Sequence, residues 1–124
     1  RYLGDWSSDV CSSDLGGFYS PLCEDGLNAD LAEKLNLPDI LVTQDKLGCI
    51  NDVLLSIQAI QSRKLNLTAV VLNQTENTDN NPYMNNEEDL KSLINYPIFN
   101  IPYLEKNTAF ALPENLINIL LSRV

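Results

Sequence analysis

A loop that contains a single glycine and leads into an apolar, helix-like segment is the first place where this sequence could bind an anion. The loop runs from Gln44 to Asn51 and contains Gly48. Glycine lets the backbone approach a ligand closely, and the free N–H groups at a helix start can hold a carboxylate or a phosphate. One glycine before a helix is nevertheless common. On spacing alone, an ordinary turn is therefore the more frequent explanation of this loop.

Two later apolar segments are also followed by residues that could contact a ligand. Asn73 and Gln74 come directly after residues 67–72, and the tripeptide 102–104 comes after residues 97–101. If these segments are parallel strands, a ligand would bind at their carboxyl ends, in the loops that follow them. An Asn at the end of a strand can also simply cap the chain by a local hydrogen bond. From the pattern alone, the cap is the more frequent explanation of Asn73, as the turn is for Gly48.

The composition restricts the classes of function. The chain has 124 residues and a formal net charge of -9 with 8 Lys and Arg, which argues against nucleic acid or an anionic membrane surface as a partner. It has no His, and its 3 Cys show neither the spacing of a zinc site nor an even-numbered disulfide framework. No apolar run reaches the ~20 residues of a membrane helix, and the start lacks the pattern of a secretory signal. The composition therefore predicts one acidic, cytoplasmic domain.

Two kinds of apolar segment alternate from residue 16 onward. Short β-branched segments are typical of buried strands, and apolar residues three or four positions apart are typical of helices. The predicted strands cover residues 40–43, 67–72 and 97–101. The predicted helices cover residues 27–35, 50–60, 86–94 and 113–124. This alternation predicts an α/β fold in which helices cover both faces of a parallel sheet.

The first fifteen residues differ from the rest of the chain. They are rich in Ser and Asp and show no apolar periodicity. The run from Asp5 to Leu15 resembles the in-frame translation of a common sequencing-library adapter. A disordered polar tail would explain the composition but not this order of residues. We therefore expect residues 1–15 to be a non-native, disordered segment and residues 16–124 to be a partial α/β domain.

Five short motifs occur in the same order as in a known enzyme family. They are Gly16–Leu22, Leu37–Val42, Leu47–Asn51, Val70–Asn73 and Ile101–Glu105. Each motif is weak alone, but the ordered series resembles the C-terminal half of dethiobiotin synthetases along nearly all of residues 16–107. The resemblance implies the C-terminal half of a P-loop NTPase-like (Rossmannoid) domain, with the parallel sheet and flanking helices already predicted from the pattern.

The resemblance also implies an activity. Dethiobiotin synthetases are ATP-dependent enzymes of biotin synthesis, usually homodimers, that convert 7,8-diaminononanoate, CO2 and ATP into dethiobiotin, ADP and phosphate. The substrate forms a carbamate, ATP phosphorylates the carbamate, and the second amine displaces phosphate to close the ureido ring. Mg2+ neutralises charge on the phosphates. The implied cofactors are therefore ATP and Mg2+, and the implied partners are these substrates and a second copy of the chain.

By this resemblance, Asn73 would hydrogen-bond adenine, and the loop 102–104 would border the base. Gly16 and Gly17 match the end of the family's Glu-Gly-Ala-Gly-Gly segment, which lies near the phosphates and the metal ion. The implied ATP-binding residues are Gly16, Gly17, Asn73, Gln74, Pro102, Tyr103 and Leu104.

The helix start after Gln44–Leu47 looks like the segment that receives the substrate carboxylate across the family's dimer interface, and Tyr83 would match a substrate-side tyrosine. The implied substrate-binding residues are Gly48, Cys49, Ile50, Asn51 and Tyr83. We expect the cysteine of this set to be a small packing residue, because the sequence offers no base or second thiol to activate it.

Parts of the family's catalytic machinery do not occur in this sequence. The motif G-x-x-x-x-G-K-[ST], which cradles a triphosphate, is absent, and the family's Glu ligand of Mg2+ would fall near Ser13. We therefore expect no catalytic residue and no metal ligand in this chain, and an inactive polypeptide on its own. Two other functions stay open: a cobyrinate-type ATP-dependent amide synthetase, and a non-catalytic binding or regulatory domain of the same fold.

Overall fold

The computed structural model describes residues 17–76, 84–105, 109 and 111–122. The strands are β1 Pro21–Cys23, β2 Gly26–Leu27, β3 Asp39–Gln44, β4 Leu67–Asn73 and β5 Ile98–Ile101. The helices are α1 Asn28–Leu35, α2 Cys49–Ser62, α3 Asn86–Leu93 and α4 Glu114–Leu121. Strands and helices alternate from β3 onward, as the sequence pattern predicts. The adapter-like segment 1–15 lies outside the described residues.

The main sheet is parallel and has the strand order β3-β4-β5. β4 is central, and its residues from Leu67 to Leu72 are all buried. A continuous apolar run with β-branched residues is typical of a strand that is covered on both faces, which is why β4 does not alternate between polar and apolar residues. The predicted α/β fold, a parallel sheet flanked by helices, is confirmed.

Two apolar clusters lie on opposite faces of this sheet. The larger cluster joins α2 and α3 to the sheet, and its buried residues are Cys49, Val53, Ile57, Ile60, Leu67, Val70, Leu72 and Leu90. The smaller cluster joins α4 to the sheet, and its buried residues are Ala69, Val71 and Leu116. Successive residues of a strand point to opposite faces, so β4 contributes to both clusters. Each face of the sheet therefore carries a helical layer.

α2 begins after the end of β3 and supplies much of the larger cluster. Its buried residues Val53, Ile57 and Ile60 are three or four positions apart, which places them on one face of the helix. The connection from β3 through α2 to β4 is the crossover that a parallel strand pair requires. As a result, the first turn of α2 lies at the carboxyl edge of the sheet.

Arg63, which directly follows α2, attaches the first part of the chain to this helix. Its guanidinium lies 2.7 Å from a carboxylate oxygen of Asp30 and 3.1 Å from one of Glu33, both on α1. It also lies 5.4 Å from the ring centroid of Tyr19. These contacts lie at the C-terminal end of α2, opposite the end that follows β3.

Some details of burial and of the short strands differ from the sequence pattern; the segment 40–43, for example, was expected to be buried, but Val42 is 54% exposed. The periodicity of the third helix predicts that Leu90 and Leu93 both face inward, but Leu93 is 55% exposed, so this prediction is wrong for Leu93. α3 has 8 residues and contacts α2 and β5, and this contact covers only the stripe that contains Leu90. The antiparallel pair β1–β2 was not predicted, because strands of 3 and 2 residues carry too little periodicity.

Candidate functional site

The carboxyl ends of the three parallel strands meet at one edge of the sheet. Gln44 at the end of β3 is in register with Asn73 at the end of β4, which is in register with Ile101 at the end of β5. The N–H of Asp45 donates to the carbonyl of Asn73 at 2.8 Å, and the N–H of Gln74 donates to the carbonyl of Ile101 at 2.9 Å. The first residue of the loop after β3 is therefore bonded to the end of β4, and the first residue of the loop after β4 is bonded to the end of β5, so the loops begin side by side. In open parallel sheets this edge is where ligands bind.

One side of this edge combines amide and aromatic groups. The N–H of Tyr103 donates to the side-chain Oε1 of Gln74 at 3.4 Å. Asn73 is half-buried, whereas Pro102 and Tyr103 are exposed and Leu104 is half-buried. An amide at a strand end can hydrogen-bond a heterocycle, and an exposed aromatic or proline ring can lie against its face. The structure thus brings together the five residues of the predicted ATP site that follow β4 and β5.

The other side of the edge is the first turn of α2. Gly48 is the N-cap with φ of +92°, a conformation that favours glycine. The N–H of Cys49 donates to the carbonyl of Lys46, but in the described part of the chain the N–H groups of Ile50 and Asn51 have no acceptor. Two unpaired donors at the positive end of a helix dipole can bind an anion. The geometry therefore allows the carboxylate-binding role expected of Gly48–Asn51.

The thiol of Cys49 does not face solvent. Cys49 is fully buried within the larger apolar cluster. Burial raises the pKa of this thiol, and the charges of Asp45 and Asp52 raise the pKa further, against a weaker opposite effect of a hydrogen bond from the backbone of Lys46. The thiol is therefore protonated at neutral pH, and the cysteine acts as a packing residue at the helix start.

A buried asparagine that the sequence did not single out lies beside this helix start. The side-chain nitrogen of Asn86, the first residue of α3, donates to Oδ1 of Asp45 at 2.7 Å and to the carbonyl of Lys46 at 3.3 Å. Asn86 and Asp45 are 41 positions apart. Local spacing gives no signal for such a contact. It becomes visible only when α3 is placed against the end of β3.

The remaining predicted site residues are Gly16, Gly17 and Tyr83. Gly16 and Tyr83 are outside the described residues. The carbonyl of Gly17 accepts hydrogen bonds from the backbone of Ser20 and the side chain of Asn28. In the described ranges no hydrogen bond joins Gly17 to the carboxyl edge of the sheet, so its place near the phosphates stays a prediction.

Within the described residues, no three Cys, Asp or Glu side chains lie close enough to hold a metal ion. We therefore assign no metal ligand among the described residues.

Comparison with known proteins identifies the family. A family model described as "AAA domain" matches residues 14–110, which is most of the chain. The chain belongs to this AAA domain family. The parallel sheet with helices on both faces agrees with the P-loop NTPase-like fold that the ordered series of five motifs implies.

Three similar curated proteins carry the same activity in their names. The chain is 40% identical to an ATP-dependent dethiobiotin synthetase of Vesicomyosocius okutanii subsp. Calyptogena okutanii, over 68% of this chain and 48% of that protein. It is 41% identical to the enzyme of the same name from Ruthia magnifica subsp. Calyptogena magnifica, over 55% of this chain and 35% of that protein. The synthetase of Halalkalibacterium halodurans is 37% identical, over 71% of this chain and 37% of that protein.

These matches confirm the resemblance to dethiobiotin synthetases. The aligned part of the chain spans about half or less of the length of these relatives. In the described ranges, none of the helices combines the length and the apolar character needed to cross a membrane.

Proposed function

We propose that this chain forms part of an ATP-dependent dethiobiotin synthetase. The observation that carries the proposal is the edge of the sheet at which the loops after β3, β4 and β5 meet, joined by the bonds from Asp45 to Asn73 and from Gln74 to Ile101. This edge places a polar and aromatic group beside a helix start with unpaired N–H groups. The names of the relatives supply the reaction that such a site would perform.

The adenine of ATP would be held by the residues after β4 and β5. The side chain of Asn73 would hydrogen-bond the base, and Gln74 would hold the loop of Tyr103 through the bond to its backbone N–H. The exposed ring of Tyr103 and the neighbouring Pro102 would border the base. Bound ATP would supply the phosphoryl group that activates the substrate, and these side chains would bind and orient the nucleotide.

The carboxylate of 7,8-diaminononanoate would be held at the start of α2. The N–H groups of Ile50 and Asn51 have no acceptor among the described residues. This supports the assignment, because a carboxylate in front of a helix start is stabilised by both the hydrogen bonds and the dipole. The same site would be shared with a second copy of the protein in a cytoplasmic homodimer. CO2 would be the second substrate, and Tyr83 would lie on the substrate side.

Phosphate binding of the P-loop type needs groups that this sequence does not supply. The sequence has no G-x-x-x-x-G-K-[ST] motif, and no three Cys, Asp or Glu side chains of the described residues lie close enough to hold a metal ion. Phosphoryl transfer depends mainly on positioning and charge stabilisation, so the loss of these groups is disabling. We therefore expect the 124-residue chain to form no dethiobiotin from 7,8-diaminononanoate, bicarbonate and ATP. Product above the no-enzyme control, measured by mass spectrometry, would contradict this expectation.

A chimera tests the function itself. Residues 17–122 would replace the matched part of the Vesicomyosocius okutanii synthetase, and dethiobiotin formation would be measured. We expect activity, and we expect Asn73→Ala to raise the KM for ATP about tenfold with little change in kcat, because a lost hydrogen bond to the base weakens ground and transition states alike. Asn118→Ala on α4 is the matched control and should change neither constant. A folded chimera that forms no dethiobiotin would overturn the proposal.

The adapter-like segment 1–15 has its own test. We propose that it is not natural protein and that the source gene encodes other residues before Gly16. Sequencing the genomic DNA upstream of the Gly16 codon should reveal a strand, the motif G-x-x-x-x-G-K-[ST] and then Glu-Gly-Ala. Genomic DNA that encodes Arg1 to Leu15 as in this chain would refute the proposal.

A further inference from the structure

Asn86 is a buried polar residue that the proposed chemistry does not use. It is 7% exposed and is the first residue of α3. Its side-chain nitrogen donates to two groups of the loop between β3 and α2, the carboxylate of Asp45 and the carbonyl of Lys46. Burying an amide is favourable only when its hydrogen bonds are made. These two hydrogen bonds therefore hold the loop between β3 and α2 against the first residue of α3.

We propose that Asn86 is a positioning residue that holds the first turn of α2 in the geometry that binds the substrate carboxylate. This inference rests on the proposed function, since it concerns the same carboxylate site. Asn86 would not touch the substrate. It would act through the carbonyl of Lys46, which also accepts the hydrogen bond from the N–H of Cys49 at 3.1 Å.

The loop has few other contacts that could fix it. Lys46 and Gly48 are exposed, and Leu47 is 89% exposed, so apolar packing does not hold this part of the chain. At one end the loop is attached to the sheet by the bond from the N–H of Asp45 to the carbonyl of Asn73. At the other end the buried side chain of Cys49 packs the helix start into the larger cluster, and the bonds from Asn86 attach the loop between these two points. Segments with few buried contacts open locally, and hydrogen bonds then decide their position.

The same contact links the two sides of the proposed site. Asp45 is bonded to Asn73 through its backbone and to Asn86 through its side chain, so one residue connects the proposed adenine side with the loop that leads to α2. A reacting group needs its partners within a small distance of the productive geometry, and small displacements cost large factors in rate. A buried donor at this position is well suited to limit such displacements.

Hydrogen exchange measured residue by residue in the 124-residue chain tests the inference. In Asn86→Ala we expect the N–H groups of Cys49 and Asp52, which are bonded to Lys46 and Gly48, to exchange about tenfold faster, as the loss of one buried hydrogen bond predicts. Asn85→Ala is the matched control. Asn85 is exposed and caps α3 by accepting from the N–H of Glu88, so its loss should loosen α3 and leave the start of α2 unchanged.

A second variant separates the donor from the shape of the side chain. Asn86→Asp keeps the size and the preference for a helix start but removes the N–H donors that reach Asp45 and Lys46. Thermal unfolding by circular dichroism would show which variants fold. If Asn86→Ala does not fold, Asn86→Asp provides the same exchange measurement. Unchanged exchange at Cys49 and Asp52 in the folded variants would overturn the positioning role.

Titration with 7,8-diaminononanoate distinguishes this inference from the proposed function. In the unmodified chain the amide resonances of Ile50 and Asn51 should shift on addition of the substrate, and Asn86→Ala, which removes the donors without adding a charge, should raise the dissociation constant about tenfold. No shift in the unmodified chain would refute the carboxylate site, while the exchange experiment still decides whether Asn86 holds the helix start. A shift with equal affinity in both proteins would refute the positioning role alone.

Discussion

At the scale of single residues, Asp39 is the group whose burial has the clearest energetic consequence. It begins β3, at the opposite end of the strand from the candidate site. Its Oδ2 atom is buried and has no hydrogen-bond partner in the described part of the chain. Burial raises the pKa of this carboxyl above its ordinary value. The ionised form is therefore a cost to the fold at neutral pH.

Replacing Asp39 by Asn should stabilise the protein at neutral pH. The gain should be less than about 1 kcal/mol, because the carboxyl is partly solvated. Since the folded pKa is raised, the cost is fully present above that pKa and disappears as the pH falls towards the unfolded value of about 3.9. Urea denaturation at several pH values would measure this difference. An advantage of the Asn variant that grows on acidification would contradict the argument.

Gly48 offers a test of backbone conformation at the helix start. Its φ is +92°, and a Cβ placed on it would meet nothing within 4 Å, so only backbone strain opposes a side chain there. Gly48→Ala should cost about 1 kcal/mol of unfolding free energy, and Gly48→Asn should cost less because Asn tolerates positive φ better. Urea denaturation compares the two. Equal stability of the Gly48→Ala variant and the unmodified protein would mean that the turn changes conformation and relieves the backbone strain.

The parts of the site that depend on neighbouring residues could be predicted from the sequence, and the contacts between distant residues could not. Asn73 and Gln74 could be placed at a strand end because the apolar run before them predicts the strand. Gly48 could be placed before a helix for the same reason. The bond from Asn86 to Asp45 could not be predicted, since it depends on how α3 packs against the end of β3. Local periodicity contains no information about that packing.

At the scale of elements, periodicity predicts the existence and type of the longer segments. β4 and α2 were predicted within about two residues at each end, because burial on both faces or along one stripe dictates their residues. Short elements depend on neighbours instead. The pair β1–β2 and the exposed side of α3 are decided by tertiary contacts that a window of a few residues does not contain.

α3 provides an internal comparison of buried and exposed leucines. Leu90 is fully buried in the larger cluster, and Leu93 is 55% exposed on the same helix. Leu90→Ala should cost about 2–5 kcal/mol because it leaves a cavity. Leu93→Ala should cost about 0.5 kcal/mol or less, with the same change in helix propensity. Chemical denaturation of both variants measures the difference, and similar costs would mean that α3 is not packed as described.

At the scale of the whole molecule, the chain is an α/β domain of the AAA domain family that spans about half or less of its curated relatives. Within the described residues, β3 pairs only with β4, so its other edge offers unpaired backbone groups. Val42 on this strand is 54% exposed. An apolar edge strand with free donors and acceptors is a template for pairing with another chain.

The open edge of β3 therefore predicts association of the chain that increases with protein concentration. Val42→Lys should weaken this association, because a charge on an edge strand opposes pairing and Val42 is too exposed for its loss to unfold the domain. Leu121→Lys is the matched control, since Leu121 is 69% exposed on α4 and the change in charge is the same. Sedimentation velocity over a concentration series would measure both. If the two variants weaken association equally, net charge rather than the β3 edge controls the association. If the unmodified chain is monomeric at all concentrations, this edge is not available for pairing.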